Sequence, residues 1–132
     1  MRLLLLSHSL DHTNGWGRYT IEVTNELRKR GIDFSLYLNG ASLPEHGKGG
    51  LTTMPGKGFV RNVFAMAHDW WQLRAEASNY DAVLSCVEHH FVTAFLLGRP
   101  FYIVAHGTFL VRFLEKPVVA PIVRYLLRRA KG

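Results

Sequence analysis

Residues 3–6 are four leucines in a row, followed at once by Ser7 and His8. A strand with one wet face alternates apolar and polar residues, whereas an unbroken apolar run ending in polar ones is the pattern of a strand covered on both faces. Strands of that kind belong to parallel sheets flanked by helices, and the next segments fit. Asn14-Gly15-Trp16-Gly17 makes a turn, after which Thr20, Val23, Thr24 and Leu27 recur at helical spacing, and Arg28-Lys29-Arg30 precede Gly31. Cations in a last turn and a glycine just beyond it suit a helix C-terminus, through the macrodipole and the left-handed cap. Residues 33–38 read as a second strand and complete a strand-helix-strand unit.

The rest of the chain continues the alternation. Residues 39–58 carry glycines at 40, 47, 49, 50, 56 and 58 with Pro44 and Pro55, and read as a mobile loop with a short strand at 51–54. Phe59, Val60, Val63, Phe64, Ala67, Trp70, Trp71, Arg74 and Ala77 trace one helical face, expected to pack on the sheet with both tryptophans in core and edge packing. Residues 81–86 read as a buried strand, 90–97 as a helix stopped at Gly98, and 101–105 as a strand after Pro100. A short helix is expected at 109–114, broken by Pro117. A final helix over 122–130 places Ile122, Val123, Leu126, Leu127 and Ala130 on one face, opposite Arg124, Arg128, Arg129 and Lys131, and should hand over to another strand. The expected fold is α/β: a parallel sheet of about five or six strands with helices on both faces.

Composition bounds the function. With 132 residues, 48% apolar, the chain makes one domain with a real core. Its 16 Lys and Arg against 10 Asp and Glu leave a net charge of +6, which suits an anionic partner: a phosphate, a nucleic acid or an acidic membrane surface. The single cysteine, Cys86, excludes an internal disulfide framework and a cysteine-based zinc site, reads as a small core residue and points to a reducing cytosol. The N-terminal apolar run is too short for a signal peptide, and no stretch is long enough to span a membrane, so any membrane association would be peripheral.

In open parallel sheets ligands bind beyond the carboxyl ends of the strands, where strand order reverses. Four histidines, His8, His89, His90 and His106, fall at or just past strand ends. Asn14-Gly15-Trp16-Gly17 opens a helix, where free N–H groups and the dipole favour an anion, although Gly15 and Gly17 can equally serve only the turn. Thr20 breaks the G-x-G-x-x-G fingerprint, which disfavours a dinucleotide. Pairing His8 with His12 or His89 with His106 lacks the further ligands a metal needs, and Glu88 alone does not make a two-carboxylate hydrolase. No nucleophile elbow, Walker motif or nucleic-acid module is present, and nucleic acid is not expected as a partner. His106 at its strand end suits a general acid/base or a hydrogen-bonding group, and equally a structural histidine.

The order of motifs resembles one family. Leu3-Leu4-Leu5-Leu6-Ser7, Gly15-Trp16-Gly17-Arg18-Tyr19-Thr20 opening a helix, Arg28-Lys29-Arg30-Gly31, Tyr80-Asp81-Ala82-Val83-Leu84, Gly98-Arg99-Pro100 and Val104-Ala105-His106-Gly107-Thr108 together resemble the N-terminal Rossmann-like domain of group 1, or family 4, glycosyltransferases of the GT-B fold. The resemblance covers nearly the whole chain. It implies that residues 1–132 form the acceptor-side domain of a retaining enzyme, apparently truncated, whose C-terminal donor-binding domain is absent, so that the chain does not turn over alone. It implies Gly15 and Gly17 in the loop approaching the donor diphosphate or sugar, His106 beside the reacting sugar as the catalytic-site residue, Thr108 on the same wall, and His8, His89 and His90 toward the acceptor. Asn14 stands where that family often has another glycine.

The implied partners are a nucleotide-sugar donor, a glycan or lipid-linked acceptor, and a C-terminal GT-B domain or complementary chain. No cofactor and no metal are expected, the nucleotide sugar being substrate. The expected location is cytoplasmic, with a peripheral contact at the inner face of an anionic membrane through the Arg124, Arg128, Arg129 and Lys131 face. The alternative from another class is a non-catalytic module binding a glycan phosphate or a membrane surface, and a third is a flavodoxin-like regulatory or nucleotide-binding domain.

Overall fold

The computed structural model describes residues 1–40, 47–54 and 58–132. Five strands, β1 (Arg2–Leu6), β2 (Asp33–Asn39), β3 (Gly47–Leu51), β4 (Ala82–Ser85) and β5 (Phe101–Ile103), form one all-parallel sheet in the order β3-β2-β1-β4-β5. The α-helices among the described residues are α1 (Gly15–Lys29), α2 (Phe59–Arg74), α3 (Phe91–Leu96), α4 (Thr108–Leu114) and α5 (Ala120–Arg129). This is a Rossmann-like α/β arrangement whose strand order reverses between β1 and β4.

The leucine run accounts for the sheet's centre. Leu4, Leu5 and Leu6 are all fully buried although successive side chains point to opposite faces. Leu4 and Leu6 join Tyr37, Leu73, Val83, Ala94 and Phe101 on one side, while Leu5 joins Leu36, Leu38 and Cys86 on the other, under Tyr19, Val23 and Leu27 of α1. Each fully buried leucine contributes roughly 1.5–3 kcal/mol of transfer free energy. Helix α1 ends as its sequence requires: Arg28 and Lys29 lie in the last turn, and Gly31 takes the left-handed φ of +65°. No helix among the described residues is long and apolar enough to cross a membrane.

Three expectations need correction. The short strand lies at Gly47–Leu51 rather than at 51–54. Ladder hydrogen bonds need only backbone, so a glycine-rich segment serves at the sheet edge beside β2. Past Leu51 the chain leaves the sheet because Thr52 and Thr53 are held elsewhere: the Asp69 carboxylate accepts both backbone N–H groups, at 2.7 and 3.0 Å, and both hydroxyls, each at 2.8 Å. The loop expected over 39–58 falls otherwise on 41–46 and 55–57, outside the described residues.

The second correction concerns α2. Its inward side is formed by Asp69, fully buried, with Leu73 and the half-buried Trp70, so Val60, Val63, Phe64 and Trp71 face outward. The four-bonded carboxyl group decides the rotation of the helix, because a buried polar group must keep its hydrogen-bond partners. The third is smaller. On α5, Val123 and Leu126 are buried but Ile122 is exposed. After α5, Ala130 turns extended, and Lys131 and Gly132 run along the outer edge of β5, with Lys131 N–H donating to Phe101 O at 2.8 Å and Ile103 N–H to Gly132 O at 2.9 Å.

Candidate functional site

All five strands run the same way, so their carboxyl ends share one rim, and α1 starts at that rim beside the β1/β4 reversal. The loop from β1 into α1 is braced by its own side chains. Asp11 accepts the Thr13 N–H at 2.8 Å and the Thr13 hydroxyl at 2.7 Å, bonds that hold its carboxyl below the usual range. Asn14 is the N-cap, its side-chain oxygen accepting the Gly17 N–H at 2.7 Å, which explains why a glycine is not needed at that position.

The two glycines separate in role. A Cβ at Gly17 would overlap the Asp11 backbone, 2.7 Å from its carbonyl carbon and nearer still to its carbonyl oxygen and amide nitrogen, so Gly17 lets the loop lie directly on α1. A Cβ at Gly15 would meet nothing. Gly15 instead lines an open depression of about 330 Å³ with Asn14, Trp16 and His106. Gly17 is buried beneath that surface.

His106, just past β5, stands across the depression from α1. Its backbone N–H donates to the Glu88 carboxylate at 2.9 Å, and its ring Nε2 lies 2.8 Å from the Cys86 carbonyl. A carbonyl only accepts, so Nε2 carries the proton it shares with Cys86, and Nδ1 is the ring nitrogen left for another partner. The Tyr19 ring meets the imidazole edge-on, with centroids 4.6 Å apart, and burial holds the Tyr19 hydroxyl protonated by raising its pKa. Glu88 is itself buried, so the carboxylate that sequence leaves without a partner is a clamp on the His106 backbone. The Cys86 thiol is buried and pushed up to about 12 by desolvation, which makes it chemically quiet.

Behind this surface lie the other three histidines. His8 meets Trp16 edge-on at 5.4 Å and His89 at 5.6 Å, and His89 lies 4.3 Å from His90. His89 and His90 are buried, at 1% and 0% exposure, and form the wall behind the rim; only His8 is partly open. Desolvation, with the neighbouring His8 second, lowers His89 to about 3; burial also takes His90 well below the ordinary range. Both are neutral near pH 7.

Asn39, at the end of β2, fixes His90. Its amide nitrogen donates to the carbonyls of Leu51 and Thr53, at 3.2 and 2.5 Å, so its oxygen must face His90 Nε2, 2.7 Å away, which therefore donates. Thr108 begins α4, and its side chain lies outside the described residues. His12 is exposed on the loop. Among the described residues no group of three or more His, Cys, Asp or Glu is arranged to hold a metal ion.

The rim thus unites Gly15 and His106 around one depression, with Trp16 linking it to His8 and His89 behind. Tyr19, Glu88 and Asn39 are the additions that the tertiary contacts make. Asn39 had a signal in sequence, as a polar residue closing a buried apolar strand; the other two had none beyond nearness to the motifs. Aromatic and imidazole surfaces beside a helix N-terminus can hold a polar ligand bearing hydroxyls and an anionic group. No known protein family's sequence profile matches the chain, and no curated protein does.

Proposed function

We propose that the chain is the acceptor-side domain of a retaining glycosyltransferase, acting with a separate donor-binding domain to move a sugar from a nucleotide sugar to a glycan, lipid-linked or small-molecule acceptor. The observation that carries this reading is the depression between Asn14-Gly15-Trp16 and His106, in which two separate motifs of the resemblance meet at the strand-order reversal.

In this reading Gly15 leaves room for the transferring sugar or its diphosphate at the start of α1, where the helix dipole favours negative charge. His106, held by Glu88 and Cys86, offers Nδ1 to a sugar hydroxyl and orients the ring for displacement. The acceptor hydroxyl attacks the anomeric carbon on the face the diphosphate leaves, and the departing phosphate takes its proton. The protein supplies positioning and charge stabilisation, and His106 is no nucleophile. His8 and His89 pack against Trp16 from behind and keep it in place, with His90 packed against His89.

The test is sugar transfer by the chain co-expressed with a donor-binding GT-B domain. His106→Ala is expected to lower kcat about a hundredfold, the scale of a lost positioning contact. Transfer at an unchanged rate would remove His106 from the site, and no transfer to any acceptor by the assembled wild type would sink the reading.

A further inference from the structure

The outer surface of α2 carries an apolar stripe that no element among the described residues covers. Phe64 is 72% exposed and Trp71 60%, with Val60 and Val63 also open to water. At helical spacing these four and Ala67 fall within one arc of roughly 100°, opposite the Asp69 and Leu73 side. The surface continues across α3 to α5. The Trp70 indole N–H donates to Leu96 O at 3.1 Å beside an exposed Leu96 side chain, and the Phe95 ring meets Tyr125 at 6.3 Å, next to exposed Ile122.

The charge on these three helices has one sign. Arg61, Arg74, Arg124, Arg128 and Arg129 are exposed, and the helices' single carboxylate, Asp69, is buried and bonded to Thr52 and Thr53. Two of the arginines stack on the aromatics of the same surface, Arg74 at 3.4 Å from the Trp71 ring centre and Arg129 at 5.1 Å from that of Tyr125. On the other side of the sheet α1 mixes Glu22 and Glu26 with its cations.

We infer that the α2-α3-α5 surface seats on an anionic lipid bilayer. Apolar side chains with tryptophan and tyrosine at an interface, ringed by arginines on helices that expose no carboxylate, match the boundary between acyl chains and anionic headgroups. A second copy laid on this face would oppose arginine to arginine. A nucleic acid would use the arginines but leave Val60, Phe64 and Trp71 in water. The contact is peripheral, because the inner side of α2 is held to the fold by Asp69. It does not depend on the cleft's chemistry.

Co-sedimentation with vesicles of phosphatidylcholine, alone or mixed with phosphatidylglycerol, tests this at low and high salt. The chain should partition onto the mixed vesicles at low salt, release at high salt, and ignore phosphatidylcholine. The pairs Phe64→Ser with Trp71→Ser, and Arg124→Glu with Arg128→Glu, should each weaken partition roughly tenfold or more, with circular dichroism unchanged because all four side chains are exposed. Brominated lipid should quench the wild-type tryptophan emission, a readout that needs no variant. Absence of binding to anionic vesicles, equal binding to neutral ones, or partition untouched by both pairs would overturn the inference. So would a concentration-dependent dimer without vesicles, or RNA binding, that the same pairs abolish.

Discussion

Acid should loosen this fold well before its carboxylates titrate, because two buried histidines refuse protons that the unfolded chain accepts. His89 titrates near 6.5 when unfolded and at about 3 when folded, through desolvation first and the neighbouring His8 second. A depressed histidine contributes stability that is complete above pH 6.5 and is lost as pH falls from there toward the folded value, since in that window only the unfolded state binds the proton. The slope is about 1.4 kcal/mol per pH unit, so His89 alone removes about 2 kcal/mol by pH 5. His90, shifted the same way, adds to the loss. Against a typical domain stability of about 5–15 kcal/mol, that is a large fraction. Urea unfolding at pH 7.5, 6.5 and 5 measures it, in a range where most carboxylates stay ionised. The midpoint should fall slightly between the first two and steeply at the third, while His89→Gln, which cannot titrate, should show a shallower drop from a lower starting stability. Imidazole proton shifts should keep both rings neutral at pH 5. An unchanged wild-type midpoint at pH 5, or a full drop in His89→Gln, would refute the reasoning.

Other consequences follow from single contacts. Gly17→Ala must push Asp11 off α1 and should cost about 1–3 kcal/mol in thermal or urea unfolding, whereas Gly15→Ala meets open space and should leave stability within about 0.5 kcal/mol; equal effects would contradict the two roles. Asp69→Ala strips four bonds from Thr52 and Thr53 and should destabilise by about 2–4 kcal/mol, with faster amide exchange at both threonines, and an unmoved midpoint would remove Asp69 as the anchor of α2. The Cys86 thiol, buried and pushed up to about 12, should react with a thiol reagent only as the chain unfolds, and rapid labelling of the native protein would show the site to be open.

Much of the fold was legible because its signals are local. The leucine run at 3–6 marks a strand covered on both faces, and Arg28-Lys29-Arg30-Gly31 marks a helix end, in both cases through neighbours a few residues apart. The gathering of the histidines was legible for the same reason: parallel strands put their carboxyl ends together, so His8, His89, His90 and His106 come to one end of the sheet. What α2 does was not legible. Pattern reading sends Val60, Phe64 and Trp71 to the core, whereas the structure leaves all three exposed and buries Asp69.

The sequence by itself determined the alternation of strands and helices, the parallel sheet that alternation requires, and the end of the sheet where chemistry can sit. The tertiary structure alone decided which side of α2 turns inward, that Gly17 packs while Gly15 stays open, and that His89 and His90 are neutral. Each of these depends on groups far apart in the chain: Asp69 on Thr52 and Thr53, His90 on Asn39 across 51 residues, His106 on Glu88. Backbone geometry and residue spacing encode elements, but the free energy of burying a polar group is set by the donors and acceptors the fold brings to it, and those exist only once the chain has closed on itself.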